Sequence, residues 1–314
     1  MTLNADKPER WPDDIDRSVK LFDQWFLSHA PKTFREERLR ASESARDAFS
    51  WTADFTRITT EVLIAHPKVV EVLRMATTPP LARDRLIGLA RVGKNLVDRL
   101  EDGGLPSKAI GTPLLIESLK RICEVVEPLL DLEVFSWRVE NRVPTKNELE
   151  LAAFVVADRL CTSFANPIIR NAHQVRQRQI LAGMLAKAEY VEEAHSPDLP
   201  INFMKPGTFA FGVNVPTDVA IVAVDLVVQS KQPVGNRIPI MIELKAAGDF
   251  TNVNKRRKEE SDKFRNLKEK YGKELKLVLF LCGYFGKKYL SYEADAGIDW
   301  VWEHRPSDLL SLLT

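Results

Sequence analysis

Two apolar runs in the C-terminal half carry charges where a buried strand would not ordinarily hold them. The first is Val224-Asp-Leu-Val-Val-Gln-Ser and the second is Pro239-Ile-Met-Ile-Glu-Leu-Lys245, with a turn around Pro233 to Asn236 between them. Folded as an antiparallel hairpin turning near Val234, they set Leu226 opposite Ile242 and Asp225 opposite Glu243. Side chains alternate along a strand, so Asp225, Glu243 and Lys245 fall on one face, and Leu226, Val228, Ile242 and Leu244 on the other. The register that buries the apolar set is the one that gathers the charges. Directly opposed carboxylates, about 5 Å apart at Cβ, repel unless a cation lies between them, and hard oxygen ligands suit Mg²⁺. Mg²⁺ held there by Asp225 and Glu243 would polarise a phosphoryl oxygen and lower the pKa of a coordinated water. Lys245 would orient that water and offset charge building on the phosphate. The chemistry this trio supports is phosphodiester hydrolysis.

Glu-x-Lys on a strand has an ordinary reading as well, a half-exposed strand with two solvated charges. Asp225 argues against it here, because an acid inside the apolar run Val219 to Val228 is costly without a partner. Asp218 is a competing acid. It lies an odd number of residues from Asp225, so in an unbulged strand it faces the other way. Glu189 and Glu192, near the end of a preceding helix, are further carboxylates that could reach a metal, or simply be solvent-exposed.

After the second run come Ala246-Ala-Gly-Asp-Phe-Thr-Asn-Val-Asn254 and Lys255-Arg-Arg-Lys-Glu-Glu260. Gly248 permits a sharp exit from the strand. Asn252 or Asn254 can cap the helix that follows. Cations in a helix's first turn oppose its dipole, so Lys255, Arg256 and Arg257 make sense where that end meets phosphate. Asn252, Asn254, Lys255, Arg256 and Arg257 are therefore the candidate DNA-binding residues. The alternative is a solvated face with Lys255–Glu259 and Arg256–Glu260 as i,i+4 pairs. His173-Gln-Val-Arg-Gln-Arg-Gln179 likewise reads as a backbone-contacting or a plain surface helix.

The elements that must position these groups fall into two regions. The first half reads as helix. Ile15, Val19, Phe22 and Phe26 form a stripe, and Thr33 with Glu36 makes a capping-box pattern. Periodic segments run from Thr59 to Arg74, which Pro67 kinks or splits, from Leu81 to Leu100, closed by Glu101-Asp-Gly-Gly, and from Leu114 to Leu130. Thr145 and Glu148 make a second capping box opening a helix through Leu160, and Asn171 to Glu193 reads as another. Beyond residue 205 the pattern becomes strands: Phe209–Val215, Ala220–Gln229, Pro239–Lys245 and Leu275–Cys282, with a helix at Asn254–Tyr271 before the last. Trp300–Trp302 adds a short strand and Pro306–Leu313 a terminal helix. The expected fold is α/β (α+β): a helical region, 1–165, with a recognition or dimerisation role, then a core, 166–314, of order α-β-β-β-α-β with a mixed central sheet.

The 314 residues are 45% hydrophobic and 28% charged, which excludes collagen-like, low-complexity and wholly disordered classes. With a net charge of +1, nucleic-acid binding must come from a local cluster. No apolar run approaches the roughly 18 residues of a membrane span, and no signal-peptide core follows the polar start, so no membrane partner is expected. Three scattered cysteines exclude a disulfide framework or cysteine-rich zinc site, and the five histidines show no ligand spacing. A reducing cytoplasm is the expected location.

Asp225, Glu243-Leu-Lys245 and this order of elements resemble the PD-(D/E)xK nuclease superfamily. The run IELKAAGDFTNVNKRRKEE resembles type II restriction endonucleases, and the whole chain, helical half included, is similar to the XamI family. The resemblance maps the superfamily's strand acid to Asp225, its second acid to Glu243 and its lysine to Lys245. The sequence departs in having Val224, not proline, before Asp225, while Pro216 precedes Asp218 by two. The resemblance implies Mg²⁺-dependent cleavage of both strands of double-stranded DNA leaving 5′-phosphates, a homodimer, a palindromic site (GTCGAC in the XamI family) and a cognate DNA methyltransferase in the same system. The alternatives are a structure-specific or repair nuclease on the same core, and a non-catalytic DNA-binding protein.

Overall fold

The computed structural model describes residues 2–106, 112–196, 198–251, 253–272 and 274–313, without the side chains of 165–166 and 253–260. Two compact units result, one of Ala30–Ile168 and one of Met1–His29 with Ile169–Thr314. The sheet-bearing unit takes in the chain's first segment, which the sequence pattern groups with the helical region, as well as Ile169–Thr314.

The Ala30–Ile168 unit contains α2 (Thr60–Ala65), α3 (Val69–Met75), α4 (Arg83–Ala90), α5 (Lys94–Glu101), α6 (Pro113–Val126) and α7 (Ser136–Val139), with stretches of the long helices α1 (Trp11–Trp51) and α8 (Lys146–Lys187). Pro67 separates α2 from α3 as its ring demands. The expected helix over 81–100 is two, because Arg91 turns into the left-handed region at φ 52° and Gly93 caps a new start. The Thr145 box forms in both directions: the Glu148 N–H donates to Thr145 Oγ1 at 3.3 Å and the Thr145 N–H to Glu148 Oε2 at 2.7 Å. The Thr33 box does not form, because α1 runs through it and through Pro31. The two helices expected over 145–193 are the single α8, with Pro167 inside. The core stacks Phe49, Phe55, Phe135 and Trp137 edge to face. Among the described residues, α8 is the one helix long and apolar enough to cross a bilayer. It carries Asp158 and Arg159, and its Ala153, Val156, Ala157 and Leu160 are buried in this core.

The other unit holds a six-stranded mixed sheet in chain order: β1 (Val191–Glu192), β2 (Thr208–Pro216), β3 (Ile221–Val228), β4 (Ile240–Ala247), β5 (Leu277–Gly283) and β6 (Asp299–Trp302). β2, β3 and β4 are antiparallel neighbours, whereas β4, β5 and β6 are parallel. Helices α9 (Val253–Tyr271) and α10 (Lys287–Asp295) make the crossovers that parallel pairing requires. Each face of the sheet has its own core. Leu226, Val228, Ile242 and Leu244 pack with Leu181 and Leu185 of α8, as the alternation predicts. Val227, Met241, Leu279 and Leu281 pack with Phe264 and Leu267 of α9, Leu290 of α10 and Trp11 of α1. The first residues are stitched to the last strand: the Asn4 and Ala5 amides donate to Asp299 Oδ1 at 3.0 and 3.1 Å, and Arg305 reaches Asn4 and Asp14.

Two glycines shape the end of the sheet where the charges lie. Gly212 adopts φ +64°, and the strand changes face there: Phe209 and Phe211 point into one core, Val213 and Val215 into the other. Its cross-strand position is that of Asp225, and the ladder records partners on either side of that pair but not there. Gly283, at φ +99°, closes β5 against β4, since a Cβ would sit 2.1 Å from the Ala247 carbonyl oxygen. Gly283→Ala combines a backbone clash with a disfavoured φ, and the expected loss of stability is about 1–3 kcal/mol. Urea unfolding checks this, and an unchanged midpoint would contradict it.

Candidate active site

β3 and β4 pair as Leu226–Ile242, Val227–Met241 and Val228–Ile240, the register expected from the apolar pattern. Their ladder then stops, and this corrects the expectation that Asp225 continues it directly opposite Glu243. The kink at Gly212 takes Asp225 out of strand pairing, and its side chain substitutes for the lost bond: the Leu244 N–H donates to Asp225 Oδ2 at 2.9 Å. The strands therefore splay into a fork with Asp225 on one arm and Glu243 and Lys245 on the other.

Glu243 is 4% exposed, an expensive place for a carboxylate. Two cations meet it there. Lys263 Nζ of α9 donates to Oε1, and Lys245 Nζ lies 3.7 Å from Oε2. Even so, burial lifts the Glu243 carboxyl above its ordinary range against the pull of Lys263, and the negative charge of Asp225 adds to the lift. Asp225 is half-buried, and its Oδ1 accepts from Gln174 Nε2 of α8 at 3.2 Å. Each Asp225 oxygen accepts one of these bonds and keeps a lone pair. Glu243 needs positive charge, and together the two carboxylates offer hard oxygen donors that fit a divalent cation.

Capture of such a cation needs Glu243 ionised. Affinity is expected to fall as pH drops through its raised pKa, so the loss begins above the 4.5 of an ordinary glutamate. Calorimetric titration with Ca²⁺ at descending pH reads this directly. An affinity that holds down to the ordinary glutamate range would contradict it. The sign reverses for the metal-free fold. An acid whose pKa rises on folding contributes stability below its unfolded value and loses it as pH rises through the folded one.

The other acids lie elsewhere. Asp218 sits in the β2–β3 turn, 67% exposed at its side chain, paired with Lys270 at 2.5 Å. Glu189 pairs with Lys231 at 3.1 Å beyond the end of α8. Glu192 is exposed on β1, level with Phe209 and hence with Val228, two strands and three residues from Asp225. Asn252 lies outside the described residues. Asn254, Lys255, Arg256 and Arg257 occupy the first turns of α9, which begins six residues past β4, but their side chains lie outside the description.

A model of the XamI restriction endonuclease family matches residues 53–302, spanning most of both units and all three fork residues. The chain belongs to the XamI restriction endonuclease family. Type II restriction enzyme SalI of Streptomyces albus G is 49% identical over 310 residues, covering 98% of each chain. No solved structure matches the chain. A XamI-family restriction endonuclease is a DNA-binding hydrolase, and DNA is its substrate.

Three further side chains support this family member's fork: Lys263, Gln174 and Gln177. Lys263 precedes Phe264 on the α9 stripe, which places it at the helix's sheet-facing margin; that adjacency is its one sequence signal. Gln174 and Gln177 lie in the polar segment read as backbone-contacting or surface. Gln177 is in fact buried, with Nε2 3.4 Å from the carbonyl oxygens of Lys245 and Phe280.

Proposed function

We propose that the protein is a type II restriction endonuclease that hydrolyses both strands of DNA at a short palindrome, using Mg²⁺ held by Asp225 and Glu243 with Lys245 as the third catalytic residue. The observation that carries this is the fork: two acids and a lysine, two of them buried or half-buried against each other's charge, at the end of a sheet in a chain of restriction-endonuclease family. When bound, Mg²⁺ supplies Lewis acidity toward a phosphoryl oxygen and acidifies water. Asp225 is pre-aimed by the Leu244 amide and Gln174, so its free lone pairs are oriented at no cost at the moment of reaction. Lys245, beside Glu243, offsets negative charge growing on the scissile phosphate and orients the attacking water. Lys263 neutralises Glu243 from the other side. The amide groups of the first turn of α9, with Asn252, Asn254, Lys255, Arg256 and Arg257, bind flanking backbone phosphates. The helical region contributes recognition or dimerisation. A palindrome calls for a two-fold homodimer, and a host carrying such an enzyme needs a methyltransferase that protects its own sites. Three buried, unpaired cysteines suit a reducing cytoplasm.

Digestion of a defined plasmid with Mg²⁺, followed by sequencing of the ends, tests the reading. The expected products are discrete fragments with 5′-phosphates ending within GTCGAC. Cutting confined to flaps or junctions would instead make it a structure-specific nuclease. Metal-independent binding without cutting would make it a binding protein.

A further inference from the structure

Behind the fork lies a second cluster that the hydrolytic reading does not use. His173 of α8, Cys282 of β5 and Glu303, one residue past β6, come together in the interior at 1%, 0% and 4% exposure. One ligand atom from each lies within 4.8 Å of the others, and His173 Nε2 is 3.8 Å from Glu303 Oε2. Both imidazole nitrogens are buried without a hydrogen-bond partner, and the buried Glu303 carboxylate has the Cys282 thiol and Gln177 among its polar neighbours. Arg176 Nη2 is 3.0 Å from Glu303 Oε1 but lacks hydrogen-bond alignment, and its Nη1 is unpartnered too. The rings of Trp25 and Phe22 close over His173 at 4.5 and 5.4 Å between centroids.

Buried polar atoms are almost always satisfied, and an imidazole with neither nitrogen partnered, beside a thiol and a carboxylate, calls for a shared partner. We propose that His173, Cys282 and Glu303 bind a zinc ion, distinct from the cation of the fork. The donor set selects the metal, since imidazole and thiolate favour Zn²⁺ whereas Mg²⁺ prefers oxygen. Bond lengths of roughly 2.0–2.3 Å in a tetrahedron put ligand atoms about 3.3–3.8 Å apart, so the His173–Glu303 pair at 3.8 Å and the Cys282 thiol each need only a small side-chain adjustment. Binding replaces the thiol proton, which leaves to solvent, with a Zn–S bond. One thiolate and one carboxylate balance the ion's charge, Arg176 stays against the outer Glu303 oxygen, and a water completes the tetrahedron. The ion would tie α8, β5 and the end of β6 together. Gln177, one turn from His173, would carry that rigidity to the Lys245 carbonyl.

The test uses full-length protein purified without a histidine tag and dialysed free of loose metal. Elemental analysis is expected to find about one zinc per chain. Cys282→Ser and His173→Gln should each remove most of it, while Asp225→Asn, at the fork, should retain it. Cobalt-substituted protein should absorb in the near ultraviolet through thiolate-to-metal charge transfer, and Cys282→Ser should not. Should the protein emerge metal-free, equimolar zinc chloride is expected to raise the Tm of the wild type but not of Cys282→Ser. Folded wild type that neither holds zinc nor responds to it overturns the proposal, and so do Cys282→Ser and His173→Gln variants with full zinc content. Waters would then be what fills the site.

Discussion

On the proposed mechanism, Asp225→Asn and Glu243→Gln are each expected to reduce plasmid cleavage in Mg²⁺ by about 10³-fold or more, at a saturating metal concentration and with the fold intact. Each substitution removes one of two carboxylates from the fork while preserving shape. Stabilisation of transition-state charge by a correctly held cation is worth several kcal/mol, and about 4 kcal/mol corresponds to roughly 10³ in rate. The two variants differ in what else they change. Asp225→Asn keeps an oxygen that can accept the Leu244 amide, so its strand geometry persists. Glu243→Gln removes a charge whose burial works against folding at neutral pH, so metal-free Glu243→Gln should melt no lower than wild type at pH 8. Initial cleavage rates and circular-dichroism melts on the same preparations separate lost chemistry from lost structure. Cleavage within tenfold of wild type by either variant would refute the assignment of its residue.

The second large effect falls in the helical unit. Glu101 is 6% exposed and accepts from Arg74 Nε at 2.6 Å and Arg83 Nε at 2.6 Å. Arg74 is also buried and donates as well to the Leu81 carbonyl. Glu101→Ala strands the Arg74 guanidinium in an apolar core, where removing one partner of a buried pair costs about 3–5 kcal/mol. That is a large share of the typical stability of a domain. Urea unfolding of the full chain should lose the transition assigned to this unit at much lower denaturant. A midpoint within experimental error of wild type would mean that water reaches Arg74.

The parts legible in the sequence were those fixed by local rules. The turn near Val234 and the apolar alternation together set Leu226 opposite Ile242, because a one-residue slip would expose every apolar residue of the strand. The Thr145 box and the Pro67 break are likewise local. The misses are tertiary. The sequence pattern predicts a helix start at Thr33 and a break between Leu160 and Asn171, yet α1 and α8 run on through Pro31 and Pro167, because a proline removes one hydrogen bond while packing can hold the rest of the helix. Gly212 inside a strand was a usable hint of irregularity, but nothing local tells that its kink falls opposite Asp225. Lys263 meets Glu243 because of how α9 docks, and β1 is two residues long, beneath any periodic signal. His173, Cys282 and Glu303 stand more than a hundred positions apart from first to last, so no spacing rule could join them.

The stitching of Asn4 and Ala5 to Asp299 imposes an order on biosynthesis. The Ala30–Ile168 unit is one unbroken stretch and has emerged complete while its partner is mostly unwritten. The sheet-bearing unit cannot finish until β6 leaves the ribosome, about 7–30 s later at roughly 5–20 residues per second. The sheet therefore gains its sixth strand only after Asp225, Glu243 and Lys245 have all been made, and closing it joins an early segment of the chain to a late one.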